Sequence, residues 1–594
     1  MTRTPLRPLA RILDAREKGE NPDAIERENL RVRHEALRDK ARLRAEGRLL
    51  FMGLVFFSAF TVIGARMGLL AATEPVEPRT ATAGAPIVAA RADIVDREGR
   101  ILATNLVTHS LYAQPQIMVD PLHSARELAR IFPDLDAAQL EKDFTGSRKF
   151  LWIKKKISPE QMQAVHDIGD PGLLFGPREM RIYPNGALAA HVLGGASFGR
   201  EGVHSAEVIG TAGVEATFDK WLRDPANGGQ PLQLSLDLGI QATIEEVLDG
   251  GMKLMNAKGA SAVLMDAHTG EIVAMASLPD FDPNTRPAPA VKGDPSDSPL
   301  FNRAVQGVYE LGSTFKIFAV AQAIELGLVS PDTMIETQSP MIWGKHRIRD
   351  FHNYGARLSV TDIILKSSNI GTARIALLIG AERQKSFLGA LGLLEPTPIE
   401  MVEAPTGRPI VPARWPDITT MTISYGHGLS ASPLHLAAAY ATVAAGGTRV
   451  TPTLLKQDQV PVGPRVISEQ TSATVRALLR GVVTKGTASF GEVPGYAVGG
   501  KTGTADKPIP TGGGYYDDKV IATFASIFPA HDPKYVFILS LDEPSENSGS
   551  EPRRTAGWTA VPVGAEVIRR IAPMLGLRPE VEPATGHGIT LVRN

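Results

Sequence analysis

Tyr309-Glu310-Leu311-Gly312-Ser313-Thr314-Phe315-Lys316 puts a serine directly behind a glycine and three residues ahead of a lysine. Residues three apart on a helical turn share a face, so this spacing lets Ser313 and Lys316 meet. A serine hydroxyl is a poor nucleophile until an adjacent base takes its proton. A lysine serves as that base only when neutral, and burial beside another cation drives it there. Two further motifs follow in order, Ser367-Ser368-Asn369 and Lys501-Thr502-Gly503-Thr504. Lys501 is the candidate second cation. Ser367 and Asn369 are candidates to relay a proton and hold a substrate amide. Thr502, Gly503 and Thr504 offer hydroxyls and a glycine that lets a substrate backbone lie close. Ser313 opens the only S-x-x-K in the chain, and Lys501 opens the only K-T-G. A second S-x-N, Ser545-Glu546-Asn547, falls after the K-T-G. Each motif alone fits a solvated helix face, a turn or a cap. In this order the three point to a serine acyl enzyme.

The pattern around these motifs predicts the fold. Ala262–Asp266 and Glu271–Ala276 read as strands around the turn His268-Thr269-Gly270. Helical periodicity follows at Thr314–Leu326, Val360–Leu378 and Leu434–Ala445, then strands at Thr523–Phe528 and Tyr535–Leu541. Strands at both ends with helices between predict an α+β domain whose sheet pairs its first and last segments. Upstream, from Ile87 to about Pro231, short strands (Ile101–Ala103, Ser110–Ala113) mix with helices (Ala125–Ile131, Pro159–Asp167). Asn227-Gly228-Gly229-Gln230-Pro231 reads as a domain boundary, and Thr73–Pro86, rich in Ala, Thr and Pro, as a linker.

The 594 residues carry a net charge of −1, which indicates no general attraction to nucleic acid. The chain has no cysteine, which excludes disulfides, thiol catalysis and Cys-ligated zinc. No H-E-x-x-H and no P-loop occurs, and the sequence calls for no metal and no cofactor. Leu49–Ala65 is an uncharged run of 17 residues, and continuing past Arg66 to Ala72 gives a span long enough for a bilayer core of about 30 Å. Forty-eight residues precede it, too many for a cleaved signal peptide, so it reads as an anchor. Residues 1–48 hold 13 Arg and Lys against 9 Asp and Glu, and five of these cations cluster from Arg38 to Arg48. The positive side stays in the cytoplasm, which places the amino terminus inside and the bulk of the chain outside. Asp23–Arg48 reads equally as a charged helix or a solvated tail. The expected organisation is a basic tail (1–48), a transmembrane helix (49–72), a linker and pedestal (73–231), a catalytic domain (232–577) and an irregular tail (578–594).

Longer stretches carry a family resemblance. Arg303-Ala304-Val305 with Tyr309–Lys316 resembles the nucleophile segment of class B penicillin-binding proteins. Asp266–Met275 is similar to their first core strand pair. Arg91–Arg97 and Arg181-Ile182-Tyr183-Pro184 resemble the non-catalytic pedestal, the dimerisation-type domain of the family. Tyr425-Gly426-His427-Gly428-Leu429 and Ser432-Pro433-Leu434 resemble the middle of the transpeptidase domain, and Asp542-Glu543-Pro544-Ser545 the division-type branch of the penicillin-binding protein 3 or FtsI kind. Leu311 stands where the family usually has Pro, Ala92 where it has Gly, and Ser432 where it has Thr.

The resemblance implies a serine β-lactamase-like antiparallel sheet with helices, and a peptidoglycan D,D-transpeptidase acting at the septum. Ser313 would attack the bond between the terminal D-alanines of a stem peptide, and the acyl-enzyme would pass to an amine on a neighbouring stem. By the same analogy, the backbone N–H groups of Ser313 and Thr504 would form the oxyanion hole. Implied partners are stem peptides on lipid-linked nascent glycan, a separate glycan polymerase of the SEDS or FtsW kind, other divisome membrane proteins, and β-lactams as covalent inhibitors. The implied location is the bacterial inner membrane, single-pass, with the catalytic domain periplasmic. The alternatives are an elongation-type relative, a membrane-anchored β-lactam sensor, a β-lactamase or an inert divisome scaffold.

Overall fold

A computed structural model describes residues 7–72, 91–201, 206–509 and 513–580. The chain divides into two compact units. One draws on Met1–Thr82, Tyr112–Ile153 and Gln163–Leu174, the other on Ala83–Leu111, Lys154–Met162 and Phe175–Asn594. The linker read at 73–86 lies outside the described residues, as does the tail from 581 onward.

In the first unit, a short helix, Arg7–Glu17, precedes one continuous helix, Pro22–Ala72. Of the two readings of residues 23–48, the helix is the one the structure shows. Proline at the first helical position is tolerated because its missing N–H has no intrahelical partner there. Within the long helix, Glu46–Met67 is long and apolar enough to cross a membrane and is not buried against the rest of the chain. The same unit holds helices Pro121–Ile131 and Ala137–Phe144. Each starts at an aspartate: Asp120 accepts from His123 N at 3.0 Å, and Asp136 from Ala138 N at 2.8 Å.

The main hydrophobic core of the second unit draws on residues from Ala92 to Ala572, and a smaller cluster of Met341, Ile348, Ile370, Ala373 and Met421 lies apart from it. At its amino-terminal end, strand Ile94–Val95 lies antiparallel to Ile101–Ala113 and parallel to Leu232–Gln233. Ile101–Ala113 is a single strand rather than two short ones: the extended backbone continues through a middle, Thr104–His109, that is not buried. A buried ion cluster joins the two stretches singled out in this region. Glu215 accepts from Arg91 Nε and Arg181 Nε, each at 2.6 Å, and Asp219 takes Arg91 Nη1 at 2.6 Å. Glu215, Arg91 and Arg181 are all buried, so each charge depends on the others.

From Gly259 onward this unit is built on a five-stranded antiparallel sheet. Its strands are β1 (Gly259–Asp266), β2 (Ile272–Leu278), β3 (Gly499–Pro508), β4 (Tyr515–Phe528) and β5 (Tyr535–Asp542), in the order β3-β4-β5-β1-β2. The first segment, β1, pairs with the last, β5, from Asp266 opposite Tyr535 to Gly259 opposite Asp542. β1 and β2 are buried at nearly every position, so both sheet faces are covered. The helices that concern the site are α1 (Leu238–Leu254), α2 (Lys316–Glu325), α3 (Asn369–Ile379), α4 (Pro433–Ala444), α5 (Glu469–Lys485) and α6 (Ala560–Met574). α4 is buried along its whole length and opens with a capping box between Ser432 and His435.

Two expected helices are corrected. The one read at Thr314–Leu326 starts as a 3₁₀ turn, Gly312–Phe315, and becomes α2 only at Lys316. The one read at Val360–Leu378 is two helices, Val360–Leu365 and α3, with Lys366-Ser367-Ser368 between them. Both pieces are apolar and pack into the interior. The break comes from Ser367, whose φ is +60°, and from Ser368, whose Oγ caps α3 by accepting from Gly371 N at 3.0 Å.

Candidate active site

Side chains three apart eclipse in a 3₁₀ turn, and Ser313 and Lys316 sit three apart on such a turn, with Lys316 N donating to Ser313 O. Three close approaches hold this turn in place. A Cβ on Gly312 would lie 2.7 Å from Thr504 O. One on Gly503 would lie 2.3 Å from Leu311 O, and one on Gly426 only 1.8 Å from Gly312 O. The turn Gly312–Phe315 is therefore wedged between β3, the end strand of the sheet, and the segment Tyr425–Gly428. The space beside Gly503, which the sequence reading left for a substrate backbone, is taken from within the chain by Leu311 O and Thr314 Cγ2.

Ser367 joins the two lysines. Lys316 Nζ donates to Ser367 Oγ at 3.0 Å and to Ser367 O at 2.5 Å. Lys501 Nζ donates to the same Oγ at 3.0 Å and to Thr502 O at 3.1 Å. Both lysines are fully buried, while Ser313 and Ser367 are half-buried and reachable. Burial drives the Lys316 ammonium well below the usual lysine range, and the charge of Lys501 pushes it further down; Asp350 opposes both. Burial takes Lys501 down to about 7. Such a pair favours a neutral Lys316, the state a base needs. Among the described residues no hydrogen bond joins Ser313 Oγ to Lys316, as is common before a substrate tightens a site. Thr502 shares a 2.8 Å hydrogen bond with Thr487 Oγ1, and Thr504 Oγ1 accepts from Ala556 N at 3.0 Å.

Comparison with known proteins shows the family. The penicillin-binding protein transpeptidase domain matches residues 260–558, and the penicillin-binding protein dimerisation domain matches residues 86–233. Over 570 residues, 93% of this chain and 94% of the other, the sequence is 34% identical to a probable peptidoglycan D,D-transpeptidase FtsI of Caulobacter vibrioides. The chain belongs to the FtsI family of class B penicillin-binding proteins. FtsI of Escherichia coli K12 is 28% identical over 525 residues, covering 82% of this chain and 84% of that one. A crystal structure of penicillin-binding protein 3 from Mycobacterium tuberculosis, complexed with aztreonam, superposes with a TM-score of 0.63 at 27% identity, covering 83% of this chain and 98% of that one. This FtsI-family chain thus has the two-domain α+β fold of its relatives, with a serine-type transpeptidase domain.

Around the site of this FtsI-family chain stand further groups, most of which the sequence assigned no role. Asp350 lies 18 residues before Ser368, whose Oγ donates to it at 2.7 Å. Asn369, read as a substrate-amide holder, donates its Nδ2 to Arg349 O at 3.0 Å. Glu310, three residues before Ser313, bonds His427 Nδ1 at 2.9 Å, Gly428 N at 2.7 Å and Tyr515 O–H at 3.1 Å. Burial alone would raise the Glu310 carboxyl, but the His427 and Gly428 hydrogen bonds outweigh it and hold the group below the usual range. His427 was legible only as part of the stretch Tyr425–Leu429.

Proposed function

We propose that this protein cross-links peptidoglycan stem peptides during septal wall synthesis through an acyl-enzyme on Ser313. The observation that carries the reading is the sharing of Ser367 Oγ by two fully buried lysines, one of them on the same turn as Ser313. In the proposed sequence, neutral Lys316 takes the Ser313 proton as Oγ attacks the carbonyl of the penultimate D-alanine. Ser313 N–H and Thr504 N–H face the oxyanion. The C–N bond breaks, and a proton relayed through Ser367 lets terminal D-alanine leave as an amine. An amine on a neighbouring stem then attacks the ester, forms the new amide and returns the proton to Ser313. Lys501, Thr502 and Thr504 receive the donor carboxylate, and Gly503 keeps the turn and strand close enough for this. A β-lactam enters as a donor whose leaving group stays tethered, so the ester persists.

The span at 49–72 would anchor the protein in the inner membrane with its amino terminus in the cytoplasm. The catalytic domain at 232–577, carried on a pedestal at 73–231, would then work in the periplasm. Residues 73–231 show no paired carboxylates suited to glycan polymerisation, so the strands would come from a separate membrane polymerase of the FtsW kind. Gly53, Ser58, Ala59, Gly64 and Ala65 offer that partner a close helix approach. The test uses a pentapeptide donor and an amine acceptor. The protein is expected to release D-alanine and form the cross-linked product, and Ser313→Ala to lose both by a factor on the order of 10⁴–10⁶. Undiminished release from Ser313→Ala would sink the reading.

A further inference from the structure

The strongest polar contacts around the S-x-N motif come from outside it. Asp350 Oδ1 accepts from Asn369 N at 2.5 Å and from Ile370 N at 3.0 Å, and Oδ2 accepts from Ser368 Oγ at 2.7 Å. The carboxylate therefore closes the first turn of α3, where a negative charge is favourable. The next carbonyl back, Arg349 O, takes the Asn369 side chain at 3.0 Å. Two consecutive residues, Arg349 and Asp350, thus grip Ser368 and Asn369 together. Ser367 stands immediately before them with a left-handed backbone, which needs a surrounding structure that imposes it. Its Oγ is the atom both lysines use.

We propose that Asp350 is a positioning residue for acylation: it pins the Ser367–Asn369 turn beside Lys316 and sets a negative charge there. The inference rests on the reading of Ser313 as nucleophile and Lys316 as base. Two independent observations support it. One is the three-bond clamp on Ser368, Asn369 and Ile370, the residues that directly follow Ser367. The other is electrostatic. The charged groups acting on Lys316 come from two elements, Lys501 on β3, which pushes its proton off, and Asp350, which holds it on. Asp350 also reaches Tyr354, whose phenol is raised first by burial and then by that charge. Arg349 and His352 are the other titratable neighbours on the same loop.

The sign of the effect follows. A nearby anion favours protonated Lys316, and acylation needs the neutral form. Removing the anion therefore moves the acidic limb of the rate to lower pH. Asp350→Asn keeps the shape and an acceptor oxygen but loses the charge. Ser368→Ala removes one bond of the clamp and keeps the charge.

The experiment measures the acylation rate of the full-length protein by a fluorescent penicillin across pH, with thermal unfolding of each variant alongside. For Asp350→Asn the ratio of the rate at about pH 6 to that at about pH 8 is expected to rise at least ~3-fold over the parent. Ser368→Ala is expected to acylate more slowly with the parent's ratio. Asp350→Glu, which keeps the charge but displaces it, is expected to lower the rate and keep the limb; it carries the test if the Asn variant does not fold. An Asn variant with the parent's ratio, or a Glu variant with the parent's full rate, would overturn the role of Asp350. A parent protein that takes no label at any pH would overturn the acylation reading beneath it, and the inference with it.

Discussion

Lys316 and Lys501 each place Nζ 3.0 Å from Ser367 Oγ, and neither is exposed. Two ammonium groups sharing one hydroxyl in a buried site repel each other, so the arrangement is stable only if one sheds its proton. The asymmetry selects which. Lys316 is depressed by burial and by Lys501, whereas burial alone takes Lys501 to about 7. On the proposed reading Lys316 is the base, and Lys501 is the cation that meets the donor carboxylate. Lys316→Arg tests this assignment, because a guanidinium keeps its charge at any working pH. Acylation by penicillin is expected to fall by a factor on the order of 10³ or more, with reversible binding retained in a competition assay. Near-parent acylation would mean that another group takes the Ser313 proton.

At the scale of elements, the site depends on pieces that stop short of regular structure. Ser313 sits on a 3₁₀ turn rather than in a helix, and Ser367 in the break before α3. Neither Thr314–Lys316 nor Lys366–Ser368 contains a Pro or Gly, so neither break carries a strong stop signal in the sequence. The close approaches were hidden too. Gly426 has φ +87° and would put a Cβ 1.8 Å from Gly312 O, a neighbour 114 residues away in a different segment. Gly426→Ala therefore meets both a strained backbone and a collision with a carbonyl that cannot step aside. It is expected to lower stability by about 2 kcal/mol or more and to slow acylation by displacing the nucleophile turn, read by thermal unfolding and penicillin labelling. A variant that melts and acylates like the parent would show that the turn does not lean on Tyr425–Gly428.

Across the whole molecule, what the sequence made legible is what covalent chemistry restricts. Ser313, Lys316, Ser367 and Lys501 were found by type and order, and the structure brings Lys316, Ser367 and Lys501 within hydrogen-bonding distance. The pairing of the first and last strands was legible from their apolar runs, and β1 does pair with β5. Groups that act by charge or support were not legible. Asp350, Glu310 and Tyr515 are ordinary residues until folding sets them beside partners far along the chain. The same holds for Glu215, which joins Arg91 to Arg181. The claim on which everything else stands is that Ser313 becomes the acyl carrier. It is tested most directly by incubating the full-length protein with a penicillin, digesting it and locating the adduct by peptide mass spectrometry. The account predicts a single adduct, on the peptide containing Ser313 and lost in Ser313→Ala; an adduct on any other residue, or one that survives the substitution, would contradict it.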